Sequence, residues 1–262
     1  MHTFLASSSM QLSVPPNHFQ PMKIVALGDS LIYGFGDPEK GGWIEQLRRW
    51  WMLPDSAGHI LYNLGVRGDR TQQVAQRLEV EFRHRGELRN RVPDLIILSV
   101  GVNDSARLAR PDGKSYTDFT LFEKEIASLL DLAQQLCPVL FVGMVPVNEA
   151  KMPFLDCFYY NHADQYRYKE ATRIACSKRQ IPYLDIFEQW MERGESWRLK
   201  RLSQDGLHPN TLGYQALLED VINWDAIPSL RSRSVSQTDA TRTMDFANAA
   251  YHSKFDYHLK PS

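Results

Sequence analysis

Cysteine is scarce. Only Cys137, Cys157 and Cys176 occur among 262 residues, an odd number without metal-ligand spacing, so neither a disulfide framework nor a cysteine-held metal is expected. The expectation is three reduced thiols in a cytoplasmic protein. Charge of one sign is also missing. Thirty Lys and Arg face 31 Asp and Glu, and a net −1 gives no global field for a nucleic acid or an anionic membrane. No apolar run approaches the roughly 20 residues that cross a bilayer, which argues against integral membrane association. Met1–Pro21 lacks a basic start and a sustained apolar stretch, so it reads as a flexible arm rather than a secretory signal. The histidines show no ligand spacing, so no metal is expected. No internal repeat is visible.

What remains is an ordinary apolar share, 43%, on a length that suits one α/β domain with extra segments. Five short apolar runs read as strands buried on both faces: Lys23–Gly28, His59–Gly65, Asp94–Gly101, Val139–Pro146 and Pro182–Ile186. Helical spacing falls between them, at Trp43, Leu47 and Trp50, at Val74, Leu78 and Phe82, and at Phe122, Ile126, Leu129, Ala133 and Leu136. Tyr160–Lys178 and Thr211–Ile222 add two more helices. Alternating strands and helices imply parallel crossovers and a three-layer α/β/α sandwich, with ligand chemistry outside the carboxyl ends of the strands.

The chemistry concentrates where the runs end. The first passes into Gly28-Asp29-Ser30-Leu31, a strand running into a tight turn with a serine at its lip, where a nucleophile would be rigidly held and exposed. The pattern is not the Gly-x-Ser-x-Gly of the usual lipase elbow. A serine needs a base. Asp205 and His208 lie three residues apart on a Gly- and Pro-marked turn, a spacing that lets the carboxylate hold one ring nitrogen while the other faces a hydroxyl. An oxyanion needs donors. Gly68 offers a backbone N–H with no side chain in the way, and Asn103 offers a neutral amide NH₂.

These blocks, Gly28 to Leu31, Asn63 to Gly68, Gly101 to Asp104 and Asp205 to His208, resemble in residues and order those of the SGNH, or GDSL-type, hydrolases. The resemblance spans roughly residues 22–224. It implies a flavodoxin-like fold with a five-stranded parallel sheet and a cofactor-free serine esterase acting on a small-molecule ester. Ser30 would be the nucleophile, His208 the base and Asp205 its orienting partner. The N–H groups of Ser30 and Gly68 and the Asn103 amide would form the oxyanion hole. Gly68 is preferred to Gly65 because it lies five residues after Asn63, the family's usual offset. Small or short-chain acyl esters are the expected substrates. A lipid esterase, an acyl thioesterase or a non-catalytic binding module on the same fold are the alternatives.

The domain is expected over 22–228, between the arm 1–21 and a polar, partly ordered extension 229–262, with a short helix around Thr238–Tyr251 as the alternative for part of it. Asp29 and Asp104 read as loop buttresses. Arg67 and Arg70 flank Gly68 and read as solvated surface arginines, with attraction of an anionic leaving group or phosphate as the sharper alternative. The aromatic stretch Met152–Tyr160 reads equally as a wall of the site or as a long loop packed on the core. The mixed charges of Glu81–Arg91 read as a solvated helix end and loop. Oligomeric state is left open.

Overall fold

The computed structural model describes residues 21–53, 56, 58–85 and 92–226. The extension 229–262, the arm before Pro21 and the loop 86–91 lie outside the described residues.

The first strand, β1 (Lys23–Gly28), is buried along its whole length, and its aliphatic run explains why. It leads into a single-turn helix α1 (Ser30–Tyr33) and then α2 (Gly42–Trp51). After these come β2 (Ile60–Gly65), α3 (Thr71–His84), β3 (Leu95–Ser99), a 3₁₀ turn Asn103–Ser105 and β4 (Arg107–Leu108). The chain continues through α4 (Phe119–Leu136), β5 (Val139–Val142), β6 (Phe158–Tyr159), α5 (His162–Lys178) and β7 (Tyr183–Leu184). It ends in α6 (Ile186–Glu192), α7 (Glu195–Leu199) and α8 (Thr211–Ile222).

Five strands form one parallel sheet in the order β2-β1-β3-β5-β7. Helices α3, α4 and α5 pack in succession, while α2 packs with α8. The chain steps one way from β1 to β2 and the other way from there on, so right-handed crossovers put α2 on the opposite face from α3, α4 and α5. The reversal opens a crevice between the carboxyl ends of β1 and β3, the place where such sheets bind ligands. Register sharpens this: Gly28 stands opposite both Gly65 and Ser99, so three strands end level.

Several elements differ from the sequence expectation. In α2 the buried stripe is Trp43, Ile44, Leu47 and Trp51, with Trp50 only partly buried. The run Val139–Pro146 leaves the sheet after Val142 because its neighbour β7 is two residues long, cut off where Asp185 caps α6 by accepting from the Glu188 N–H. Helix α5 starts at His162, not Tyr160, because Tyr159 still pairs with Arg107 and Asn161 caps the helix through the Asp164 N–H. That β4–β6 pair fastens the chain after Asn103 to the aromatic stretch before α5.

Candidate active site

Ser30 opens α1 directly at the end of β1. Asp29 caps this turn, its Oδ1 accepting the Leu31 N–H at 2.9 Å, and Ser30 as the first helical residue has no intrahelical acceptor for its own N–H. Tyr214, from α8, binds the same turn by donating to the carbonyls of Ser30 (3.3 Å) and Phe35 (2.8 Å).

His208 arrives from a loop shaped by Asp205. Asp205 Oδ1 accepts the Ser203 hydroxyl (2.6 Å), the Leu207 N–H (2.9 Å) and the His208 N–H (3.0 Å). Its Oδ2 lies 2.7 Å from His208 Nδ1. A carboxylate can only accept, so Nδ1 carries the proton and Nε2 is left as an acceptor, 2.8 Å from Ser30 Oγ. Burial pushes the Asp205 carboxyl up, but the bonds from the His208 ring, the His208 N–H and Ser203 outweigh it and hold the group well below the usual carboxylate range. Such a line can take a proton from a hydroxyl at one end and stabilise the resulting imidazolium at the other.

The structure also brings Gly68 and Asn103 to this crevice. Gly68 has φ +84°, a backbone that L side chains rarely adopt, and open space lies where a Cβ would point. Gly65 serves differently: a Cβ there would meet the Tyr33 backbone N at 2.1 Å, so α1 could not approach β2. Asn103 Nδ2 donates to the Asp69 carbonyl at 2.9 Å, and its Oδ1 accepts from the buried Tyr160 hydroxyl at 3.3 Å. One amide hydrogen is therefore spent on the Gly68 loop and the other is not.

Asp104 buttresses the loops as expected. It accepts the Thr71 N–H and hydroxyl, both at 3.0 Å, and the Thr117 hydroxyl at 2.7 Å. Asp29 does so with one oxygen only. Its Oδ2 is buried without a partner, and burial above all, with the Asp104 and Asp69 charges adding and the Leu31 N–H opposing, raises its pKa to about 7.

Arg77 and Phe35 escaped sequence reasoning, whereas Tyr160 and Phe154 lie in the aromatic stretch that it read equally as a wall of the site or a packed loop. Arg77 of α3 donates to the carbonyls of Leu64 (2.8 Å) and Gly28 (2.9 Å) and pairs with Asp69 (2.8 Å), bracing the ends of β1 and β2 and the loop after Gly68. Its signal was its place three residues after Val74, on the core side of an amphipathic helix. Tyr160 closes the aromatic stretch, and its hydroxyl steadies Asn103, a pairing that the sequence did not signal. Phe35 lies edge-on to His208 at 4.7 Å, and Phe154 approaches the same ring at 5.6 Å. Phe154 belongs to the aromatic stretch, so at least that residue faces the site. Arg70 is half-buried over Tyr116 rather than solvated, whereas Arg67 is exposed. Among the described residues no group of three or more His, Cys, Asp or Glu could hold a metal ion, and no helix is long and apolar enough to cross a membrane.

A serine–imidazole–carboxylate line at the switch point of a flavodoxin-like sheet defines an α/β hydrolytic class. Residues 26–216 match the GDSL-like Lipase/Acylhydrolase family, and the chain belongs to that family of ester hydrolases. Its fold is similar to that of the lipase/acylhydrolase from Enterococcus faecalis (TM-score 0.64, 17% identity, 82% of this chain and 100% of that one). It is also similar to a lipolytic G-D-S-L family protein from Veillonella parvula DSM 2008 (0.58, 19%, 79% and 99%). A third similar structure is Axe2, an acetylxylan esterase from Geobacillus stearothermophilus (0.59, 15%, 82% and 98%). No curated protein matches in sequence.

Proposed function

We propose that this chain is a serine carboxylesterase with Ser30 as nucleophile, His208 as general base and Asp205 as the group that orients and stabilises the imidazole. The single observation that carries the reading is the unbroken line Ser30 Oγ–His208 Nε2 (2.8 Å) and His208 Nδ1–Asp205 Oδ2 (2.7 Å). Ser30 Oγ attacks the ester carbonyl as Nε2 takes its proton. The Ser30 and Gly68 N–H groups and the free Asn103 amide hydrogen stabilise the tetrahedral oxyanion. His208 then gives the proton to the leaving alcohol, and a water activated the same way releases the acid.

Small acyl groups suit the reading, because Phe35 and Phe154 both crowd the base. Similar folds named as acetylxylan esterases point the same way. A cytoplasmic setting is the companion proposal, supported by three cysteines that are free among the described residues.

Ser30→Ala tests the core of it. The variant stays folded and loses orders of magnitude in hydrolysis of a small aryl ester, together with labelling by a serine-directed fluorophosphonate. A folded variant that keeps more than about a tenth of the wild-type rate removes Ser30 from the role. A wild-type protein that neither labels nor hydrolyses esters is a binding module instead.

A further inference from the structure

Arg67 immediately precedes Gly68 on the loop after β2, and its guanidinium carbon sits 3.6 Å above the centre of the Phe35 ring. Phe35 in turn meets His208 edge-on at 4.7 Å. One ring therefore separates a fixed cation from the base. Stacking occupies the face of a guanidinium and leaves its in-plane N–H fork pointing outward, the geometry that grips a carboxylate or phosphate with two parallel hydrogen bonds.

The neighbouring charges are already engaged. Arg77 is taken by Asp69 and two carbonyls. Arg70 lies over Tyr116 at 4.4 Å with Nη1 3.5 Å from the Thr117 hydroxyl. Asp104 is spent on Thr71 and Thr117, and Asp205 on His208 and its own loop. Arg67 has no carboxylate partner among the described residues, and it is exposed. The mouth of the crevice thus carries, in Arg67, a preorganised and exposed cation with no carboxylate partner among the described residues. It costs little further side-chain entropy to use, because Phe35 already holds it.

We propose that Arg67 is a specificity-determining residue that selects esters bearing an anionic group, a carboxylate or a phosphate, a few bonds from the scissile carbonyl. This rests on the reading of Ser30 as an esterase nucleophile. The anion docks on the Arg67 fork while the carbonyl lies over Ser30. Phe35 sets the distance between the two.

Three probes test it: neutral phenyl acetate, 3-acetoxybenzoate with its carboxylate on the alcohol part, and monophenyl succinate with its carboxylate on the acyl part. The readout is the ratio of kcat/KM for each anionic ester to that for phenyl acetate, taken within each variant. General damage to the site then cancels. Arg67→Gln lowers at least one ratio by about tenfold, the effect of one lost charge-assisted contact. Arg67→Glu lowers it further, and added salt lowers it in the wild type but not in Arg67→Gln. The probe that responds identifies the side of the ester that carries the anion. If both ratios stay within about twofold of wild type in both variants, the inference is overturned while the esterase reading stands. If the wild type cleaves none of the three, the esterase reading fails and this inference falls with it.

Discussion

Asn103 is gripped at both ends of its amide, by the Asp69 carbonyl and the Tyr160 hydroxyl, so its remaining N–H points in a fixed direction at no cost during reaction. A donor of that kind stabilises charge that exists only in the transition state. Asn103→Ala is therefore expected to lower kcat by about 10²–10³ with a much smaller change in KM. Steady-state kinetics on a small aryl ester check this, and a change confined to KM makes Asn103 a ground-state binding residue. Single residues such as Ser30, Gly68, Asn103 and His208 were legible in the sequence because each sits at a chain break marked by Gly, Asp or Pro. The stretch that ends at Tyr160 was singled out too, but the bond of Tyr160 to Asn103 was not, because nothing in one dimension ties two residues 57 positions apart.

At the scale of elements, the strands were readable because burial on both faces leaves continuous aliphatic runs such as Ile24–Leu27 and Leu95–Leu98. Their ends were less so. Where a strand stops depends on its neighbour's length and on caps such as Asp185, which local composition does not report. The brace between elements was hidden for the same reason. Arg77 links α3 to the ends of β1 and β2, and through Asp69 it reaches the carbonyl that holds Asn103. Arg77→Met leaves two carbonyls and a carboxylate without this partner, at a cost on the order of 1–3 kcal/mol. Assayed well below its melting temperature, the variant is expected to lose about tenfold in kcat with KM little changed, since on the proposed mechanism it loosens the oxyanion donors rather than substrate contacts. A lowered melting temperature with kcat intact would restrict Arg77 to holding the fold together.

The whole molecule carries a cost at its centre. Asp29 is fully buried beneath the turn that presents Ser30, with Oδ2 unpartnered, and burial is the main reason its pKa rises to about 7. An unfolded chain releases that proton near about 3.9. Between these values the folded state holds a proton that the unfolded state has lost, so this contribution to stability is complete below about pH 4 and disappears as pH rises through about 7. A shift of that size corresponds to roughly 4 kcal/mol. Asp205 works the other way. Its depressed pKa stabilises the fold above the unfolded carboxylate value, and this gain is lost only in acid, so between pH 5 and 8 it adds no slope. Asp29→Asn keeps the shape and the neutral state but removes the titration. Urea midpoints measured from about pH 5 to 8 are expected to fall for the wild type and to fall less steeply for the variant, which keeps the smaller slope of Asp104 and Glu125, both also raised by burial, and the gap opens as pH rises toward about 7. Equal slopes would mean that Asp29 is ionised throughout and that its buried oxygen is stabilised by some other group. The sign also bears on the molecule's working conditions: the carboxyl next to Ser30 makes the fold less stable as pH rises toward about 7.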